Sequence, residues 1–270
     1  MTEHLLDLSL SRAAAVIGLG LILMRVRSRA APPTLGWIGS VLVVIGTLGQ
    51  LLVGTVEVAG TLSIASVIDV ARTTFFGSRA IAAIGAAAAL AVVHPTARWR
   101  MRWPRIPAMV AAIVFALALS AQGHAAEPHD RTLVHALHVG AASLWIGGLA
   151  ALVDGIDRGV ASPRWVLAFS RLALWLVIVL LVTGTARMLA HVGSLADLAS
   201  SYGRVLVFKL ALAACALGFA FRHRRRTLPL LEEGGAISRA FVRDLTAELV
   251  LVFCTLMAAT ALAQQPPPRE

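Results

Sequence analysis

Charge, cysteine and lysine are all scarce in this 270-residue chain. Only 14% of its residues are charged, against about 25% in an ordinary soluble domain. That deficit, with 58% apolar residues, excludes a soluble enzyme and a disordered tail. Two cysteines, Cys215 and Cys254, both fall inside apolar runs, which excludes a disulfide scaffold. Lys209 is the only lysine, so the net charge of +10 is carried by arginine, clustered between apolar stretches. Such clusters are a positive-inside topology signal and leave no basic face for a nucleic acid. Phosphate-binding loops, nucleophile elbows, metalloprotease helices and Cys-x-x-Cys pairs are also missing. ATP-driven pumping and common hydrolysis are thereby set aside, and no enzymatic activity is expected.

What is present is apolar sequence gathered into runs of roughly 20 residues, the length that crosses about 30 Å of hydrocarbon. Eight runs are read, at about 5–24, 35–57, 77–94, 106–123, 133–153, 165–190, 203–221 and 244–264. The expected fold is an all-α polytopic membrane helical bundle of about eight transmembrane helices. The segment Met1–Asp7 is acidic rather than basic, so the first run reads as a retained span and not a cleaved signal. Arg25, Arg27 and Arg29 follow the first span; Arg98, Arg100 and Arg102 follow the third. Arg158 and Arg164 follow the fifth, and Arg222, Arg224, Arg225 and Arg226 the seventh. The odd-numbered connections are therefore expected in the cytoplasm, with both termini periplasmic, in a bacterial inner membrane. Trp99, Trp103 and Trp165 flank the basic loops as interface anchors.

A weak repeat accompanies the count. Phe76-Gly77-Ser78-Arg79 opens span three and Tyr202-Gly203-Arg204 opens span seven; each follows a span rich in Gly and Thr. It suggests two four-helix halves, 1–124 and 125–270, related by an axis along the membrane normal.

The eight histidines then sort by side. His94 and His223 fall at cytoplasmic ends, while His4, His124, His129, His135, His138 and His191 fall at or just inside the outer face. His135 and His138 are three apart and share a helical face. His191 ends span six with Met188 one turn deeper, and His124 ends span four. Imidazole binds Zn, Cu, Fe and Ni, and thioether shifts the choice toward copper, above all Cu(I). A lone interfacial histidine is usually a wetted helix end, but six on one side, with an i, i+3 pair, point to a metal or haem role. Cys254 and Met257 share a face of span eight and would extend a soft-ligand path, although buried Cys and Met usually serve packing. Arg12, Arg171, Arg187, Lys209 and Glu248 are charges inside spans, with Arg171 and Glu248 expected to form a structural ion pair.

At these residues a family resemblance emerges. His138 followed by Leu144-Trp145-Ile146-Gly147-Gly148-Leu149 resembles the His…Trp-x-Gly-Gly-Leu signature of the copper resistance protein D (CopD) family. Phe169-Ser170-Arg171, Thr183-Gly184, Val192-Gly193-Ser194, Tyr202-Gly203-Arg204, Lys209 and the close from Glu248 through Gln265-Pro266-Pro267 follow in that family's order. Gly123-His124-Ala125 also matches a family position, and the resemblance covers about residues 120–268. It implies an inner-membrane protein that moves copper, as Cu(I) or Cu(II), between periplasm and cytoplasm. A separate periplasmic carrier of the CopC type would be its partner, beside membrane lipid. By matched position His124 and His138 are the best metal ligands; His135, His191 and Met188 are added by helix geometry, depth and ligand type. The alternative is a haem-binding electron-transfer protein with two imidazole ligands, drawn from His124, His138 and His191. Uptake is the expected direction of transport.

Overall fold

The protein is represented by a computed structural model, which describes residues 2–28, 31–96, 105–121, 129–265 and 268. Every regular element among them is helical: α1 (Thr2–Arg27), α2 (Pro33–Ala59), α3 (Ile64–Thr73), α4 (Phe75–Thr96) and α5 (Arg105–Ser120) in the first half. The second half holds α6 (His129–Asp157), α7 (Pro163–His191), a 3-10 turn (Leu195–Ala199), α8 (Ser201–Arg226), α9 (Leu228–Glu232) and α10 (Arg239–Leu262). Seven of these, α1, α2, α4, α6, α7, α8 and α10, are long and apolar enough to cross a membrane. The fourth expected span corresponds to α5, an apolar helix of 16 described residues. The chain is therefore an all-α polytopic bundle, in agreement with its apolar periodicity.

Local chemistry sets the helix ends. Pro33 and Pro163 occupy first-turn positions where no backbone N–H is needed. Ser162, Ser200 and Ser238 each accept a hydrogen bond from a backbone N–H in the first turn of α7, α8 and α10. The Gly60–Thr74 stretch, between the second and third apolar runs, contains α3, capped by the reciprocal Ser63–Ser66 pair. Ile64 and Ile68 project outward from it while Val70 is buried, the pattern of a helix lying along an interface.

α1 is the hub. It packs on α2, α6, α10, α5 and α4, and Leu19 and Ile22 on it are wholly buried. Because lipid tails are as apolar as leucine, close backbone approach rather than hydrophobicity holds such helices together. Gly20 of α1 sits against the Ser143 carbonyl and Gly147 of α6, and a Cβ on either glycine would overlap backbone. The sequence halves thus share one interior. α7 packs on α6, and α8 on α10, while α10 returns to α6 and α1. Trp175, Leu181 and Val182 of α7, and Val207 and Phe208 of α8, face outward where lipid covers them. Gln264, just beyond α10, donates to Ser9 Oγ of α1 at 2.6 Å, so both chain ends lie at one end of the bundle. The opposite end collects the last turns of α1 and α8, with Arg25, Arg27, Arg222, Arg224, Arg225 and Arg226.

The proposed repeat has a geometric counterpart. Gly77 and Gly203 each lie near the start of a long helix, pressed against the backbone of the short helix before it: Val70–Ala71 of α3 in one case, Asp197–Leu198 of the 3-10 turn in the other.

Candidate functional site

His138 lies on α6 about 13 Å from the helix start, taking 1.5 Å per residue. Its Nδ1 is 2.9 Å from Thr183 Oγ1 of α7. The direction of that bond follows from the threonine. Thr183 spends its single hydroxyl hydrogen on the Val179 carbonyl one turn back, at 2.6 Å. Its oxygen can therefore only accept, so the imidazole donates from Nδ1, and in the neutral ring the lone pair lies on Nε2. A metal-ligating histidine is normally fixed in this way, with one ring nitrogen tied to a neighbour and the other available. Gly184, next to Thr183, leaves room for the ring: a Cβ there would be 3.4 Å from His138 Cε1.

His135 is one turn nearer the helix start on the same side of α6 and is half-buried. Three cations surround the two imidazoles: Arg187 and Lys209 are within electrostatic reach of both, and Arg12 of His135. Glu57, exposed near the end of α2, is the acid within reach of Arg12. Net positive charge at this level disfavours a resident cation, so any metal held here would depend on bonds to neutral nitrogen or sulfur.

His191 is separated from that group. It ends α7 eight residues beyond Thr183, about 12 Å farther along the axis, and packs edge-on against Tyr202 with ring centroids 6.2 Å apart. Met188 is half-buried one turn inward from it. The structure therefore brings His135 and His138 to one level, with His191 and Met188 nearer the bundle mouth. His124 lies outside the described residues. Cys254 and Met257 are half-buried on α10, and Cys215 is exposed. Among the described residues, no three of His, Cys, Asp and Glu converge closely enough to hold a metal ion by themselves. A cavity of about 490 Å3 opens at the arginine end between α1, α5, α6 and α7, lined by Met24, Met109, Trp165 and Phe169 with no imidazole.

The expected Arg171–Glu248 pair does not form. Arg171 is exposed on α7, whereas Glu248 of α10 is buried and accepts from Trp145 Nε1 at 3.1 Å. Its other oxygen faces His223 Nε2 of α8 at 3.5 Å. Shared depth suggested Arg171, but helix rotation decides which group points inward. The neutral Trp145 donor carried no charge signal by which sequence reasoning could have found it.

The signature residues now have separate jobs. Trp145 reaches Glu248, Gly147 admits α1, and Leu149 fills the core. Gly148 faces the Phe169 ring so closely that a Cβ would overlap it. Gly193 and Ser194 donate their backbone N–H groups to Asp197 Oδ2 at 2.7 and 2.9 Å, which closes the turn between α7 and α8.

Residues 163–262, from the start of α7 to the end of α10, match the family profile of Copper resistance protein D. This segment, rather more than a third of the chain, resembles the CopD family. The match takes in Thr183, His191, Lys209, His223 and Glu248, with α6 and its histidines lying just before it. Among curated proteins, the Bacillus subtilis copper transport protein CutJ is 30% identical over 164 residues, which cover 57% of this chain and 29% of that one. The chain thus matches less than a third of that relative's length. No solved structure matches.

Proposed function

We propose that this chain belongs to the CopD family and carries copper across a bacterial inner membrane, as a transporter rather than an enzyme, with uptake as the direction. The observation that carries the reading is the His138–Thr183 bond, which presents a neutral imidazole with Nε2 unprotonated inside the C-terminal helices. Copper is the cargo. Met188 and His191 near the mouth would receive it, together with His124, and His135 and His138 would take it one level deeper. Imidazole suits Cu(II), whereas thioether and thiol suit Cu(I), so Met188, Met257 and Cys254 would serve a reduced ion. The surrounding cations fit transit better than storage, because a conducted ion must bind weakly enough to leave. The copper-related family profile and the copper transport relative support the metal. The arginine-rich end supports a periplasmic position for the mouth and both termini. A separate CopC-like carrier would deliver the ion.

Copper uptake into liposomes holding the purified protein tests this reading. His138→Ala should cut the rate at least tenfold while the variant remains folded. Equal uptake by both proteins, or a Soret band revealing haem between two imidazoles, would overturn it.

A further inference from the structure

The copper reading leaves a buried carboxyl and imidazole unused. Glu248 is 3% exposed and His223 is 6% exposed, both near the arginine end. Trp145 Nε1 supplies a hydrogen bond to Oε1, and Oε2 faces His223 Nε2 at 3.5 Å. That nitrogen has no hydrogen-bond partner of good geometry. Phe241 closes the site with its ring edge-on to the imidazole, centroids 5.1 Å apart.

Asp244 and Arg222 also lie within electrostatic reach of His223. Asp244, one turn from Glu248 on α10, pairs with Arg222 at 2.7 Å and Arg243 at 3.6 Å. Trp145 is the α6 contribution, α1 brings Arg25 and Arg27 to this end, and α9 brings Glu232. A carboxyl and an imidazole so placed, out of water and without a fixed cation between them, form a group that a proton can enter and leave.

Position gives that proton a use. His138 and Trp145 are seven residues apart on α6, hence on the same face and about 10 Å apart along the axis. Ala141 and Ala142 separate them, and among described residues the face runs from Thr183–His138 to Trp145–Glu248–His223.

We infer that the Glu248–His223 pair is a proton-binding site at the arginine end, whose proton is exchanged for copper held near His138. The inference rests on the copper reading only for the exchange, not for the proton site. One proton occupies the space between Oε2 and Nε2, arriving from and returning to water at that end. Bound, it adds one positive charge about 12 Å from the His138 level, where Coulomb repulsion at an effective dielectric of about 20 weakens a monovalent cation's binding about tenfold. Proton release favours copper entry, and copper entry favours proton release, by the same factor.

Infrared difference titration of the full, metal-free chain in lipid nanodiscs tests the site without copper. A carboxylic acid carbonyl band should appear on acidification, vanish in Glu248→Gln, shift in frequency in Trp145→Phe and change its midpoint by about one pH unit in His223→Ala. Absence of a band that Glu248→Gln removes, or a midpoint unmoved by His223→Ala, overturns the site. The exchange is tested with Cu(I) on the same samples. Wild-type affinity should gain about tenfold across the carbonyl titration beyond the change seen in Glu248→Gln. Equal pH dependence in both overturns the exchange. A titrating band in a chain that binds no copper supports the proton site while removing the copper reading.

Discussion

In the proposed copper reading, Thr183 fixes which nitrogen of His138 would face the metal. An interhelical hydrogen bond of this kind within a membrane contributes only about 0.6 kcal/mol on average, so its main effect is on ring orientation and tautomer. Thr183→Val keeps the shape of the side chain and removes its oxygen. Thermal unfolding should shift by no more than a few degrees, whereas copper affinity should fall about tenfold or more, within the range seen when partners of metal-ligating histidines are lost. A large loss of stability with unchanged copper affinity would make the bond a structural clasp. His138 was legible in the sequence because imidazole is rare inside spans and this one precedes a Trp-x-Gly-Gly-Leu run. Thr183 was legible only as part of a Gly- and Thr-rich stretch, since its role depends on facing residue 138 across 45 positions of chain.

At the scale of helices, α1 and α6 cross with their backbones in close approach. Gly20 and Gly147 let two backbones touch, and small residues at such crossings replace the hydrophobic drive that lipid removes. Gly147→Val should force the pair apart and cost about 1–3 kcal/mol, as overpacking does elsewhere. Lowered yield and earlier unfolding in detergent check it, and full stability would show that the helices separate without strain. Since α6 carries both His138 and Trp145, moving it would disturb both polar groups together. The apolar runs announced these helices accurately. They were silent on rotation, which is why Arg171 was expected opposite Glu248 and the structure instead points Trp145 and His223 there.

For the whole molecule, the Gln264–Ser9 bond joins the two chain ends on one side of the bundle, and the arginine-rich helix ends gather on the other. A reporter active only outside the cytoplasm should therefore work when fused at either terminus, and a cytoplasm-only reporter at neither. Opposite results at the two ends would contradict this arrangement. The expected division into halves at about residue 124 rests on a sequence repeat in which Gly77 and Gly203 share a setting. Yet α1 packs on α6 and α10, so the halves are bound into one body. The sequence by itself determined that the chain is all-helical, that it lives in a membrane and, to within a turn or two, where its seven long apolar helices lie, because burial in lipid demands long apolar runs whatever their neighbours. Only the tertiary structure decided which polar groups meet. Inside a bundle each polar side chain is satisfied by whatever helix face is turned toward it, and azimuth and crossing angle are set by contacts between residues remote in the chain.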